Sequence, residues 1–440
     1  MISSLPLKVC HIANSDIDGG AARAAYRIHT ALNSNHNNKV ISLMRVLKKY
    51  SKDPRVKGGP AFNNKINFEF QKHLNRVSRY LYSLQYPQEL AYSIAWPRTG
   101  LCKELNQNYK KNKIDIVNLH FLSDNTISVR EIGSLKMPLV WRLNDQWPFC
   151  SCEHYSTNLE DFNEPDDYIL GYKRKRKFFD IKSINYLIKE NSWKRKIHLI
   201  APSRWISNSA SKSFLFKNQP IKVIPSAINL EFWKPLDKNK SRSALNLPLD
   251  KKLLLFGALG GTSDYRKGGD LLFDALKILK TKLNDKLSDN VELVIFGAND
   301  RKSLLKTDFK THYAGYIKDD DILRKYYSAC DLFILPSRQD NLPGTGIESH
   351  SCGTPVVAFD IGGLPDIIDD KVTGSLANPF DPFSLANEIN WVIESDERNI
   401  SLKNAARAKA LKVWDEKKIS KAYIDYYLEI DSINKSKYKS

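Results

Sequence analysis

What most constrains this chain of 440 residues is a rhythm: short, largely apolar runs alternate with stretches of helical composition. Residues 9–13, 40–44, 114–119, 139–143, 198–201 and 221–224 read as strands, and residues 21–32 carry apolar side chains at helical spacing. Strands that are apolar on both faces belong in parallel sheets covered on each side by helices. A polar, proline-containing stretch, 241–252, interrupts the rhythm. It restarts with 253–257, 291–297, 331–336 and 355–360, mostly closed by Gly, Pro or Asp. The expected class is α/β, with two Rossmann-like doubly wound domains facing across a cleft and a boundary near residue 240. Residues 46–96 are polar, rich in aromatics and without a clear period. The tail from Ser432 is polar and expected to fray.

Composition narrows the function classes. Apolar residues make up 42% of the chain and charged residues 27%, which excludes a disordered or collagen-like chain. No apolar window approaches the length of a membrane-spanning helix, and residues 1–10 do not read as a secretory signal. Lys and Arg number 68 against 49 acids, a net charge of +19. Such an excess attracts polyanions, whether nucleic acid, anionic lipid or phosphorylated small molecules. The run Lys173-Arg-Lys-Arg-Lys177 concentrates it. Six cysteines are too few for a disulfide framework and fit cytoplasmic usage. Cys150-Ser-Cys152-Glu-His154 is a compact set of possible metal ligands, but no second pair stands at zinc spacing.

Three motifs could carry chemistry. Asn14-Ser-Asp-Ile-Asp-Gly-Gly-Ala21 follows the first strand and opens a helix, so Gly19 and Gly20 let a ligand approach unpaired helix amides. It is not the G-x-G-x-x-G dinucleotide pattern. Asp264-Tyr-Arg-Lys-Gly-Gly269 follows the first strand of the second domain. There Arg266 offers two donors and Lys267 a mobile charge, a combination suited to a diphosphate. Pro336-Ser-Arg-Gln-Asp340-Asn-Leu-Pro-Gly-Thr-Gly-Ile-Glu348 is a loop running into a helix. Asp340 on the loop and Glu348 on the helix can face one ligand, with the intervening amides aimed at an anion.

The third motif, with Cys352-Gly-Thr-Pro355-Val-Val-Ala following it, resembles the signature of family 4 glycosyltransferases of the two-Rossmann-domain (GT-B) type. The residues from His11 to Tyr26, Asn144-Asp-Gln-Trp-Pro-Phe149 and His154-Tyr155 resemble the branch of colanic-acid and other exopolysaccharide glycosyltransferases. The resemblance implies an acceptor-side domain 1–240, a nucleotide-sugar domain 241–415, and a segment 416–440 whose helix crosses back to the first domain. It implies that Glu348 holds the donor ribose, Asp340 faces the donor sugar, and Asn341, Leu342, Gly344 and Thr345 meet sugar and phosphate. Lys267 matches the diphosphate lysine. Arg266 takes the place of an arginine that is Ala258 here. Gly19 and Gly20 match a loop beside the donor phosphate and the acceptor, and His120 a histidine near the reaction centre. Asn144 stands where the family often has histidine, leaving Asp145 with Trp147 on the acceptor side. Residues 46–96 would be a mobile insertion covering that side.

The family's chemistry is retaining and needs no bound metal or other cofactor. Asp16-Ile-Asp18, the D-x-D pair of the first motif, is accordingly read as loop and helix-capping chemistry. The resemblance thus implies transfer from a UDP- or GDP-sugar to a glycan or lipid-linked acceptor in surface-polysaccharide synthesis. The expected setting is the cytoplasm, with peripheral attachment to the anionic inner face of the membrane and no nucleic-acid partner. Two alternatives stand beside it: an inactive GT-B scaffold, given Ala258 and Asn144, and a basic nucleic-acid-binding protein.

Overall fold

A computed structural model describes residues 5–34, 39–61, 65–87, 89, 92–111, 113–123, 125–155, 167–172, 180–257, 264–283, 289–297 and 307–437. The basic run 173–177 and Ala258 lie outside the described residues. The chain divides into two compact units, residues 1–227 with 417–440, and residues 228–416.

The first unit holds a seven-stranded sheet in the order β3-β2-β1-β4-β5-β6-β7. Its strands are β1 (Leu7–Ser15), β2 (Val40–Lys48), β3 (Val56–Lys57), β4 (Ile116–Leu119), β5 (Leu139–Arg142), β6 (His198–Ala201) and β7 (Ile221–Val223). The second unit holds six strands in the order β10-β9-β8-β11-β12-β13. They are β8 (Lys252–Gly257), β9 (Val291–Phe296), β10 (Thr311–Gly315), β11 (Leu332–Leu335), β12 (Val356–Phe359) and β13 (Gly374–Ala377). The neighbouring strands in both sheets pair in parallel.

The period of two decides which core each side chain enters. Along β1, Leu7 and Val9 join one apolar cluster while Cys10 and Ile12 join another. Along β8, Leu253 and Leu255 fall on one face and Leu254 and Phe256 on the other. Both sheets therefore bury both faces, as the apolar runs require.

Counted from its own first strand, the six-stranded sheet repeats the order of the first six strands of the seven-stranded one. The order reverses beside β1 in one unit and beside β8 in the other. At such a point the loops leaving adjacent strands part, and open α/β sheets take ligands there, outside the carboxyl ends. The register sets β1 beside β4 from Val9 and Ile116 to Ile12 and Leu119. It sets β8 beside β11 from Leu254 and Leu332 to Phe256 and Ile334.

Three expectations need adjusting. The division after residue 227 precedes the expected boundary at 240, because Ile228, Leu230 and Trp233 pack into the second unit's core. The buried Arg242 adds to this by donating to the Ala329 carbonyl and to Asp331, both at 2.9 Å. The tail does not fray at Ser432: the last helix spans Glu416–Lys437, and Lys435 pairs with Asp431 one turn back at 2.6 Å. Its Ile419, Tyr423, Tyr427 and Ile430 pack with Leu7, Val9 and Ile28 of the first unit. Within 46–96, the structure places β3 and a helix, Lys65–Gln85.

Candidate functional site

In the second unit, the chain after β8 is described again from Asp264. Its carboxylate accepts from the Arg266 amide at 3.1 Å and starts a single 3-10 turn, Tyr265–Lys267. Gly268 follows at φ +66°, and a Cβ there would lie 1.8 Å from the Pro336 carbonyl oxygen. Glycine is thus required for both the backbone angle and the close approach of two loops. That approach brings both cations to one acid. Lys267 Nζ lies 2.5 Å from Asp340 Oδ2, and Arg266 Nη1 lies 3.6 Å from the same oxygen. Arg266 Nη1 also donates to the Gln339 carbonyl at 3.1 Å.

Asp340 is buried. Burial by itself raises its pKa, but Lys267, Arg266 and the Asn341 amide outweigh it, and the carboxyl stays below its usual range. Its backbone is fixed from behind: the Gly363 amide donates to the Asp340 carbonyl at 2.9 Å. Asn341 is buried beside it, and Leu342 packs against the second unit's core.

The helix Gly344–Ser351 then begins after Pro343, with no side-chain cap. Its first-turn amides, those of Gly344 and Thr345 among them, form a positive end suited to an anion. Glu348 lies on this helix, and its Oε2 accepts from the Tyr327 hydroxyl at 3.2 Å. The structure therefore brings Arg266, Lys267, Asp340 and Asn341 together, with Glu348 on the helix that the same loop enters.

Arg338 was not singled out from the sequence. It pairs with Asp270 through both amino groups, at 2.5 and 2.6 Å, and donates to the Tyr265 carbonyl at 2.9 Å. Its guanidinium also lies 3.8 Å from the Tyr265 ring centroid. The side chain clamps the turn that carries Arg266 and Lys267. A partner 68 positions away leaves no local pattern to read.

In the first unit, Gly19 ends the loop after β1 at φ +91°, and a Cβ on Gly19 or Gly20 would meet nothing within 4 Å. The backbone there is open to a ligand at the start of the helix Gly20–Ser34. Asp16 accepts from the amides of Ile17 at 3.0 Å, Tyr50 at 3.0 Å and Ser51 at 2.8 Å. Burial opposes its ionisation, yet these bonds hold the carboxyl below its usual range. Asp16 thus ties the loop after β1 to the loop after β2.

His120 follows β4 directly and is buried. Its Nε2 lies 2.8 Å from His11 Nδ1, with the rings stacked 5.1 Å apart. Burial holds both imidazoles neutral, the His120 pKa well below its usual value and that of His11 down to about 3. His120 Nδ1 and His11 Nε2 have no hydrogen-bond partner among the described residues.

Asp145 receives His154 Nδ1 on Oδ2 at 2.5 Å and the Trp147 amide on Oδ1 at 3.2 Å. The other ring nitrogen of His154 lies 2.8 Å from Ser93 Oγ. Asp145 and His154 thus form a carboxylate–imidazole pair that the sequence did not reveal. Trp147, expected on the acceptor side, is a core residue. It is 1% exposed, donates its indole N–H to the Ser93 carbonyl at 2.7 Å, and lies 3.9 Å under Lys189 Nζ. Cys150 and Cys152 are buried, and burial pushes the Cys152 thiol up. No group of three or more His, Cys, Asp or Glu among the described residues could hold a metal ion.

Fold and loops together define a class: two Rossmann-like α/β units of the GT-B type, each with its candidate residues at the carboxyl ends of its strands. Residues 237–409, in the second unit, match the family described as "Glycosyl transferases group 1". The chain is 29% identical over 227 residues to the D-inositol 3-phosphate glycosyltransferase of Xylanimonas cellulosilytica, covering 48% of this chain and 51% of that one. It is 27% identical over 243 residues to a glycosyltransferase of Methanocaldococcus jannaschii, covering 52% and 59%. The matched region thus spans about half the length of these relatives.

Two solved structures are similar over nearly the whole chain. Sucrose-phosphate synthase of Thermosynechococcus elongatus has a TM-score of 0.64 at 15% identity, covering 97% of this chain and 100% of that one. Anabaena HepE in complex with UDP and glucose has a TM-score of 0.62 at 17% identity, covering 96% and 99%.

Proposed function

We propose that the chain is a retaining glycosyltransferase that moves a sugar from a UDP- or GDP-sugar to a glycan or lipid-linked acceptor in surface-polysaccharide synthesis. The observation that carries this reading is the convergence of Arg266 and Lys267 on Asp340 beside the helix bearing Glu348, inside the region that matches the glycosyltransferase family. In this reading Glu348 holds the ribose hydroxyls. Asp340 aims Lys267 and faces the sugar. The Gly344 and Thr345 amides, with Lys267 and Arg266, bind the diphosphate. Asn341 and Leu342 shape the sugar end.

The bond from the anomeric carbon to the diphosphate oxygen breaks, and a bond to the acceptor oxygen forms on the same face. The acceptor proton passes to the departing phosphate oxygen, while Lys267 and Arg266 stabilise the charge that grows there. No metal or other cofactor takes part. By the family resemblance Gly19 and Gly20 are assigned to the loop beside the phosphate and the acceptor, His120 to the neighbourhood of the reaction centre, and Asp145 to the acceptor side. Association is peripheral, at the cytoplasmic face of the membrane.

A thermal-shift screen with UDP-, GDP- and ADP-sugars tests the donor class, since a ligand that binds only the folded chain raises its melting point. The expected result is a shift with one nucleotide series, followed by sugar transfer or slow hydrolysis of that donor. Absence of any shift and of any donor turnover would refute the reading.

A further inference from the structure

The helix Lys65–Gln85 is built inside out. Asn75 and Tyr82 are its buried side chains, with Gln71 and Ser78 half-buried on the same side. Gln71 donates to the Arg98 carbonyl at 2.6 Å, Asn75 to Asn125, and the Tyr82 hydroxyl to Glu89, while the Tyr82 ring packs with Ile94, Cys152 and Ile181. Most of its aliphatic and aromatic side chains nevertheless point away. Phe70, Leu74, Val77, Leu81 and Leu84 are 62%, 39%, 47%, 41% and 63% exposed. Steps of four, three, four and three residues put them in one stripe. Tyr80 stands at its edge, 64% exposed. Next around the helix come the exposed His73 and Arg76, with Glu69 between them paired to Lys72 at 2.9 Å, while Arg79 falls on the far side and lies over the Tyr92 ring.

A water-facing helix normally shows the opposite polarity, and contiguous exposed apolar surface marks a contact site. We propose that this stripe is a docking surface for an anionic lipid bilayer, on which the helix lies with Phe70, Leu74, Val77, Leu81 and Leu84 among the acyl chains and Arg76 at the head groups. Charge selects this occupant. The chain carries +19, so a second copy would bring like net charge, and a like Arg76, against the stripe. Anionic head groups complement both. An apolar stripe beside a cation is the form of a helix that lies in the interface, and no helix among the described residues is long and apolar enough to cross a membrane.

This rests on the peripheral-association reading and names its surface. The experiment is flotation with vesicles of phosphatidylcholine and phosphatidylglycerol, and with phosphatidylcholine alone. Wild type is expected to float only with the anionic vesicles. The triple variant Leu74→Ser, Leu81→Ser, Leu84→Ser should bind about tenfold or more weakly, because three apolar side chains no longer leave water. Arg76→Gln should weaken binding less. All three residues of the triple variant are exposed, so its melting point and donor-induced thermal shift should match wild type. A triple variant that floats as well as wild type would move the surface elsewhere while leaving peripheral association intact. Failure of wild type to float would overturn both, without touching the transfer reading. A wild-type dimer that the triple variant converts to monomer, with flotation unchanged, would assign the stripe to a second copy instead.

Discussion

Lys267 Nζ and Asp340 Oδ2 stand 2.5 Å apart, so the cation expected to meet a diphosphate is already held by an acid from the neighbouring loop. The pair joins the chain after β8 to the chain after β11. In the proposed transfer Asp340 would thus position Lys267 besides facing the sugar.

That relationship separates the two acids of the motif. Glu348→Ala should weaken a nucleoside diphosphate and its sugar donor alike, by roughly ten- to a hundredfold, the worth of a lost charge-assisted hydrogen bond. Asp340→Ala should leave diphosphate affinity nearly unchanged, because Lys267 loses its positioning partner while it and Arg266 are freed of a competing acid, two effects of opposite sign, whereas transfer falls sharply. Calorimetry and turnover on both variants check this. Equal loss of diphosphate binding in the two would refute the assignment.

Gly268→Ala should destabilise the second unit and abolish diphosphate binding. The new methyl must displace the Pro336 carbonyl at 1.8 Å and adopt φ +66°, a strain of about 1–3 kcal/mol before the clash is counted. Gly20→Ala serves as the contrast, since its Cβ meets nothing within 4 Å. Stability should hold to within about 0.5 kcal/mol while transfer drops. A normal urea midpoint for Gly268→Ala would contradict the geometry.

Acid should weaken the fold before its carboxylates titrate. Burial lowers the pKa of His11, His29, His120 and His350, with His11 and His350 down to about 3. A depressed pKa means the unfolded chain binds the proton first. The stabilisation is therefore whole above about pH 6.5, and it is lost as pH falls toward about 3. His11 and His350 each contribute up to about 2 kcal/mol of that loss by pH 5. Urea midpoints at pH 7 and pH 5 should show the drop, and His350→Leu should flatten it. An unchanged slope in that variant would assign the acid sensitivity to other groups.

Transfer should survive excess chelator. Arg266 and Lys267 supply positive charge where a diphosphate would sit, and Asp16 of the D-x-D pair is engaged with three backbone amides. Loss of turnover in EDTA with rescue by Mg²⁺ or Mn²⁺ would overturn the prediction.

The central strands were legible because they are buried on both faces, which leaves a continuous apolar run in the sequence. β10 was not, since its residues are only half-buried and Tyr313 is exposed, and β13 begins Gly374-Ser375 and lacks such a run. The helix Lys65–Gln85 escaped notice because its apolar stripe and its buried face do not coincide. At the site, Gly268 and the loop Asn341–Gly344 punctuate the sequence and gave the acids and cations away. Arg338 did not stand out, because its partner Asp270 lies across the fold. Trp147 was assigned to the acceptor side through the family resemblance alone, whereas its indole fills the space between Trp141, Trp193 and Lys189.

The helix Glu416–Lys437 packs with the first unit, so the strands of that unit are made early and one of its core walls is made last. During synthesis, residues 228–416 can close on themselves while Leu7, Val9 and Ile28 still wait for Ile419, Tyr423 and Tyr427. At about 5–20 residues per second the interval lasts on the order of ten to forty seconds. For that time the nascent first unit carries an uncovered apolar flank, which makes it the half of the molecule most dependent on a chaperone.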